Sequence, residues 1–277
     1  MRRSRLDAEL VRRGQARSRS EAAELIAAGR VLIAGQVATK PATAVDPAAA
    51  LLIRDIDDDP RWASRGAHKL IGALDAFGDV TVHGRRCLDA GASTGGFTDV
   101  LLRRGAAEVV AVDVGYGQLA WALRGDPRVR VHDRTNVRFL SPDAIGGQVD
   151  LVVADLSFIS LTVVLRALAA CARSDGDLLP MVKPQFEVGR ERLGSGGVVR
   201  EPALRAEAVA TVVRAAGLLG WGMAGVVASP LPGPSGNVEF FVHLRRDIPV
   251  DDPFVGGRPA ALIAAATAAS APRGGSA

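Results

Sequence analysis

The chain has 277 residues, 48% hydrophobic and 23% charged, with a formal net charge of +4, enough for one sizeable domain and a small module. It contains no run of 18 or more apolar residues, which excludes a membrane-spanning helix, and its start, Met1-Arg2-Arg3-Ser4-Arg5, lacks the apolar stretch of a signal peptide. The two cysteines, Cys87 and Cys171, sit in apolar runs without a partner motif, so buried free thiols in a reducing cytoplasm are expected, and no metal site.

The charge is unevenly spread. Residues 1–45 hold nine Arg and Lys against four Asp and Glu, an excess that points to a polyanionic partner, nucleic acid before membrane. Leu6-Asp7-x-x-Leu10-Val11 and Ala22-Ala23-x-Leu25-Ile26 have helical spacing. Ser18 is the expected N-cap of the second helix, with Glu21 three residues on, and Gly29 its stop. Val31–Ile33 and Gln36–Val37 flank Ala34-Gly35, a hairpin signal. The pattern Arg5-Leu6-Asp7…Gly14…Ser18-Arg19…Ala22…Leu25-Ile26…Gly29…Val31…Gly35…Lys40-Pro41 resembles the S4-type RNA-binding domain. The resemblance implies that structured RNA docks on Arg3, Arg5, Arg17, Arg19 and Lys40.

The acidic stretch Asp55-Ile56-Asp57-Asp58-Asp59-Pro60 breaks this pattern. The domains are therefore expected at 1–54 and 65–248, joined by a linker over 55–64 in which Trp62 packs between the modules. The Ala-, Gly-, Ser- and Pro-rich end, 249–277, reads as a tail that is largely disordered.

After the amphipathic helix Ala67–Phe77 comes Cys87-Leu88-Asp89-Ala90-Gly91-Ala92-Ser93-Thr94-Gly95-Gly96-Phe97. It reads as a buried strand, a glycine turn and a helix start, and the next strand closes in Asp113. Small residues let the backbone approach a nucleotide-like ligand, and the later acid suits ribose hydroxyls. Gly91-Ala92-Ser93-Thr94-Gly95 also fits a hydrolase nucleophile elbow, but only His132 and His243 follow, and neither sits in an obvious loop behind a triad acid. A dinucleotide fingerprint would need glycine at Ser93, and an ordinary tight turn is the plain alternative. Asp89 discriminates: an acid there can meet a cationic amino acid while Asp113 meets ribose. S-adenosylmethionine carries both groups, whereas NAD has no amino acid.

Strand and helix signals continue to alternate. Strands are predicted at 129–132, 150–154 and 178–182, helices at 161–171 and 201–217, and final strands at 223–228 and 238–244. This predicts an α/β domain with a doubly wound, Rossmann-like sheet whose ligands lie at the strand C-termini. The last connection, Ser229 to Asn237, contains no helix, so the final strand is expected to be antiparallel. Asp155 then ends one strand, Lys183 ends another, Glu239 opens the last, and Lys69 lies on the helix before the sheet. All four would converge at one edge, although a surface ion-pair set is the bland alternative.

This quartet looks like the Lys-Asp-Lys-Glu tetrad of FtsJ-related ribose 2′-O-methyltransferases. With the S4-type module, Ser64-Arg65-Gly66-Ala67-His68-Lys69-Leu70 and Pro232-Gly233-Pro234-Ser235-Gly236-Asn237, the chain from Arg2 to Leu244 closely resembles the TlyA family. That resemblance implies a cytoplasmic S-adenosyl-L-methionine-dependent enzyme acting on ribosomal RNA or ribosomal subunits. The family methylates cytidine 2′-hydroxyls in helix 44 of 16S and helix 69 of 23S RNA. Its members are also labelled haemolysins, but no segment here would insert into a membrane, and no obligate protein partner is implied. Expected catalytic residues are Lys69, Asp155, Lys183 and Glu239, with Lys183 as the base or the polarising group and its proton affinity lowered if Lys69 lies close. Expected cofactor residues are Asp89, Gly91, Ser93, Gly95, Gly96, Phe97, Asp113 and Asp133, the last for the adenine amino group. The glycine-rich basic stretch Phe186–Arg200 reads as a loop that closes on RNA, or equally as a plain connection.

Two other readings stay open. Asp155-Leu156-Ser157-Phe158 resembles the acid-x-x-aromatic motif of enzymes that methylate exocyclic amines of bases, where the target would flip against Phe158. A non-enzymatic ribosome-assembly protein would bind RNA without needing an intact cofactor turn.

Overall fold

The computed structural model describes residues 4–16, 18–27, 29–46, 48–53, 62–233 and 235–269. They form two compact units divided between Arg61 and Trp62. The first contains β1 (Ser4–Arg5), α1 (Leu6–Arg12), α2 (Arg19–Ala27), β2 (Val31–Ile33), β3 (Gln36–Val37), β4 (Ala44–Val45) and β5 (Leu51–Ile53). The helically spaced Leu6, Leu10, Ala22 and Ile26 are buried together with Val31 and Val45. Ser18 Oγ accepts the Glu21 amide at 3.2 Å, capping α2, and Gly29, at φ +67°, ends it. Ala34 and Gly35 both have positive φ, so β2 and β3 close through a primed hairpin turn. β5 completes that sheet in the order β3-β2-β5, and β1 pairs with β4.

The second unit runs α3 (Gly66–Phe77), β6 (Arg86–Ala90), α4 (Gly96–Arg103), β7 (Glu108–Val112), α5 (Trp121–Arg124), β8 (Val129–His132), β9 (Val149–Ala154), α6 (Leu161–Cys171), β10 (Ala172–Val182), α7 (Pro184–Glu187), α8 (Pro202–Gly217), β11 (Gly222–Ala228), β12 (Phe240–Arg245) and α9 (Gly257–Ala269). The seven strands are ordered β11-β12-β10-β9-β6-β7-β8. β6 to β10 are parallel, and β12 is antiparallel to both neighbours, as the helix-free connection requires. Alternation along β6 sends Cys87 to the core that includes α3 and α4, and Leu88 and Ala90 to the core that includes α6 and α8. Burying both faces in this way is what a parallel sheet demands.

The structure amends three sequence expectations. β10 begins at Ala172, six residues earlier than predicted, because a register shift between Ala172 and Asp177 absorbs the polar Arg-Ser-Asp-Gly stretch. Trp62 and Ala63, read as linker, pack in the second unit: Arg103 lies 4.3 Å over the Trp62 ring, and Asp99 Oδ2 accepts the Ala63 amide. Residues 257–269, read as part of a largely disordered tail, form α9. Ile263 is buried in the larger core, and Arg258 donates to the Met223 and Ala224 carbonyls. Alanine enrichment is low complexity in composition, but it is also the strongest helix propensity available. The rest of the linker (residues 55–61) and residues 270–277 lie outside the described residues.

Candidate active site

The turn after β6 is built for close approach. Gly91 (φ +87°) donates its amide to Val112 O, and a Cβ there would run into the Asp155 carbonyl. Gly95 (φ +98°) precedes α4, where a Cβ would collide with Leu123 and Leu119. A Cβ on Gly96 would strike Ser64 Oγ. Glycine is obligatory at the first two positions for conformation and space together. Ser93 adopts φ +47°, as a nucleophile elbow would, but its hydroxyl faces Gln118 at 3.4 Å, and among the described residues no histidine bonds to it. His243 is buried instead against Asp177 at the other end of the sheet, with Nε2 2.7 Å from Oδ1. The hydrolase reading therefore falls.

Three carboxylates stand at the C-terminal ends of β6, β7 and β8. Asp89 is completely buried; Oδ2 accepts the Thr98 hydroxyl at 2.7 Å while Oδ1 is buried with no partner. Burial lifts its pKa to about 7, against the Thr98 hydrogen bonds, and the charges of Asp155 and Asp113 add to the rise. A buried acceptor without a donor is costly unless a ligand supplies one. Asp113 accepts the amides of Ser93 (2.8 Å) and Gly115 (2.7 Å), which leaves about half of its lone-pair directions for a diol. Asp133 is paired with Arg124 at 2.7 Å, and that guanidinium holds its carboxyl below the usual range. Phe97 packs its ring in the core, 5.9 Å from Phe241, so only its backbone faces the turn. An ammonium at Asp89 and a ribose at Asp113 are what an S-adenosyl amino acid presents, and the cradle fits that group.

The four predicted catalytic side chains form two ion pairs. Lys69 Nζ donates to Glu239 Oε2 at 2.6 Å; Glu239 is fully buried and Lys69 is 9% exposed. Lys183, 6% exposed, lies 2.6 Å from Asp155 Oδ1 and donates to Ser157 Oγ at 2.9 Å. The register Val182↔Phe240 sets Lys183 and Glu239 next to one another across β10 and β12, and Ala154 pairs with Pro180, so both pairs share one sheet edge. Each lysine thus meets a carboxylate. Glu239 Oε1 is left without a partner, under Gly233 of the 229–237 loop.

Several further residues support this edge. Phe158 is held at φ +65°, 91% exposed, with its ring 5.4 Å from Phe186. Glu187 accepts the Ser160 hydroxyl (2.6 Å) and the Leu161 amide (2.8 Å), and its burial raises its pKa. Together with Lys183–Ser157 these contacts fasten the loop after β9 to the loop after β10. Asn237 donates to Gly197 O and accepts the Val199 amide, tying down the far end of the glycine-rich segment Phe186–Arg200.

In the first unit Arg5 and Arg19 converge on buried Asp7, each 2.9 Å from Oδ2, with their side chains about half exposed. The paired guanidiniums hold the Asp7 carboxyl far below its usual range. Lys40 is exposed beside them in the sequence pattern, while Arg3 and Arg17 lie outside the described residues. Asp7 is the organiser that the count of basic residues overlooked, and the Arg5-Leu6-Asp7 triplet was its signal.

Comparison with known proteins agrees with this geometry. Residues 62–246 match the FtsJ-like methyltransferase family and residues 4–50 match the S4 domain. The 16S/23S rRNA (cytidine-2′-O)-methyltransferase TlyA of Mycobacterium tuberculosis is 67% identical over 88% of this chain and 90% of its own length. Hemolysin A of Brachyspira hyodysenteriae is 32% identical over 86% and 98%. A solved structure of a hemolysin-named protein from Streptococcus thermophilus superposes with a TM-score of 0.75 at 38% identity, over 97% of this chain and 96% of that one. The chain therefore belongs to the FtsJ-like methyltransferase family and, with its N-terminal S4 domain, to the TlyA group within it.

Proposed function

We propose that the chain methylates the 2′-hydroxyl of cytidine in ribosomal RNA, with S-adenosylmethionine as the donor. The observation that carries this reading is the pair of buried lysine–carboxylate contacts, Lys69–Glu239 and Lys183–Asp155, beside the Asp89 and Asp113 cradle. When bound, S-adenosylmethionine supplies a methyl already activated by its sulfonium, so the protein has to align an in-line transfer and accept one proton. Alignment is worth about 7–11 kcal/mol at best, and a placed proton acceptor about 10²–10⁴-fold. Asp89 takes the amino acid's ammonium on its free Oδ1, Asp113 takes the ribose, and Gly91, Ser93, Gly95 and Gly96 wall the ligand. Asp133, past Arg124, is assigned to the adenine amino group. Lys183 meets the attacking oxygen and passes the hydroxyl proton toward Asp155, while Lys69 and Glu239 fix the target ribose.

Arg5, Arg19 and Lys40 of the S4 unit take phosphates, and helix 44 and helix 69 sites within ribosomal subunits are the assigned targets, reached in the cytoplasm. Among the described residues no helix is long and apolar enough to cross a membrane. Base methylation at Asp155–Phe158 ranks below this reading because Lys183 occupies the Asp155 carboxylate. A non-enzymatic assembly role would leave the orphaned Asp89 acceptor without purpose.

The test is labelled methyl transfer to ribosomal subunits lacking the modification, followed by digestion to nucleosides. Label recovered as 2′-O-methylcytidine, and absent with Lys183→Ala while cofactor binding persists, is the expected result. Label on a base, or full activity of Lys183→Ala, refutes the assignment.

A further inference from the structure

Four large apolar side chains stand bare on the β7/β8 side of the cofactor cradle, away from the ion pairs. Trp121 is 86% exposed, Phe139 77%, Val114 72% and Tyr116 69%. A folded domain does not leave such a group of side chains in water without use. Two of the rings already carry a guanidinium: Arg134 lies 4.3 Å over Tyr116, and Arg138 lies 5.7 Å from the Phe139 centroid. Asp133, the acid next to Arg134 in sequence, is bonded by Arg124 and also feels the Arg134 charge, and among the described residues neither Arg134 nor Arg138 forms a direct ion pair.

The supporting backbone is fixed. The Arg134 amide donates to Gly115 O and the Thr135 amide to Asp113 O, which stitch the loops after β7 and β8 together. The Asn136 side chain accepts the Arg138 amide and shapes the turn that presents Phe139. Arg134 itself is held at φ +53°, a conformation seldom kept without a role.

We propose that Tyr116–Arg134, Phe139–Arg138 and Trp121 form a second RNA contact that stacks unpaired nucleotides flanking the reacting cytidine. The inference rests on the rRNA reading of the active site. Flat aromatic faces beside guanidiniums that make no direct ion pair match bases joined by phosphates, whereas an apolar protein partner would bury both guanidiniums without an acceptor. Position agrees as well. β9 and β8 are three strand spacings apart in the order β9-β6-β7-β8, about 14 Å. That distance is roughly four stacked nucleotides, so one RNA strand reaches both places.

The experiment measures filter binding and methyl transfer with unmodified ribosomal subunits for wild type, Phe139→Ala, Trp121→Ala and the Arg134→Gln/Arg138→Gln double variant. Each aromatic truncation should raise the RNA Kd and KM about 5- to 100-fold, with affinity for S-adenosylhomocysteine unchanged. The double arginine variant should flatten the dependence of log K on log salt by about 1.4. RNA Kd within twofold of wild type in every variant overturns the proposal. So does a loss confined to cofactor affinity, or a wild-type self-association in sedimentation that Phe139→Ala abolishes. If wild type methylates nothing while these variants still lose RNA, the assigned reaction falls and the contact stands.

Discussion

With Asp89 holding the cofactor's ammonium as proposed, ligand binding should be sensitive to pH, with a sign opposite to that of most carboxylates. The Asp89 pKa rises from 3.8 to about 7 because it is entirely buried, and Thr98 offsets this only in part. The unfolded chain loses this proton near pH 4 and the folded chain near pH 7, so between those values the folded state binds more protons. Stability from this group is full below pH 4, declines through the window and is gone above pH 7. Three pKa units correspond to about 4 kcal/mol as an upper bound. An ammonium at Oδ1 needs the anion, so binding must expel the proton at acid pH. If only the ionised form binds, Kd for S-adenosylhomocysteine rises about 25-fold from pH 7.5 to pH 5.5. Titration calorimetry at pH 6, in buffers of different ionisation heat, should then show close to one proton released per ligand bound. Asp89→Asn should bind weakly with a flat profile, and its ligand-free form should gain on wild type in urea unfolding as pH rises from 5 to 8. A Kd that moves less than threefold over that range, or the same slope in Asp89→Asn, would refute the reasoning.

Other consequences follow from burial. Lys69→Met leaves Glu239 charged in a site with no exposure, and should cost about 3–5 kcal/mol in urea unfolding. Lys69→Met combined with Glu239→Leu should recover much of that stability without recovering activity. Gly95→Ala must place a side chain at φ +98° against Leu123 and Leu119; a loss of about 1–3 kcal/mol with weakened S-adenosylhomocysteine binding is expected in thermal melts and calorimetry. Cys87 and Cys171 are buried, and burial pushes their pKa values to about 12 and about 11. Iodoacetamide at pH 8 should therefore label neither until urea unfolds the chain, as mass spectrometry would show.

Most of the sheet was legible because its signals are local. The helix 161–171 and the strand 129–132 fall on the predicted residues, since apolar runs bounded by turn residues leave little choice. The convergence of Lys69, Asp155, Lys183 and Glu239 was legible through topology: strand ends of a parallel sheet share an edge, and a helix-free connection reverses the last strand. Which lysine meets which carboxylate was not, because Lys69 and Glu239 are 170 residues apart and their pairing depends on α3 packing beside β12. Thr98, Ser157 and Glu187 were invisible for another reason. A hydroxyl or carboxylate that satisfies one buried partner has no characteristic spacing. At Phe97 the motif position shows where the backbone lies, while the ring turns to the core. α9 was missed because composition reports complexity, and only a receiving apolar surface reveals that an Ala-rich segment docks.

The charge arrangement of the second unit answers two opposed demands. A sulfonium donor favours carboxylates near the reacting methyl, and a polyanionic acceptor is repelled by them. In the proposed site Asp155 and Glu239, the acids assigned to the ribose side, are each paired with a lysine at 2.6 Å, while on the side assigned to the cofactor Asp89 meets Thr98 and Asp113 only backbone amides. Unpaired carboxylates are thus confined to the part of the edge proposed to meet a cation. Affinity for phosphate can then reside on other groups, on Arg5 and Arg19 of the first unit and on Arg134 and Arg138 of the second, where uniform binding does not blunt the chemical step. Deleting either lysine should do two distinct harms: it removes a group from the reaction and bares a carboxylate toward the RNA backbone. Only the second is electrostatic at long range. Lys183→Met should therefore regain RNA affinity relative to wild type as salt rises toward ~0.5 M, where the Debye length falls to a few ångströms, while turnover stays lost at every salt concentration. Binding that weakens in parallel with wild type would mean that Asp155 is never felt by the RNA.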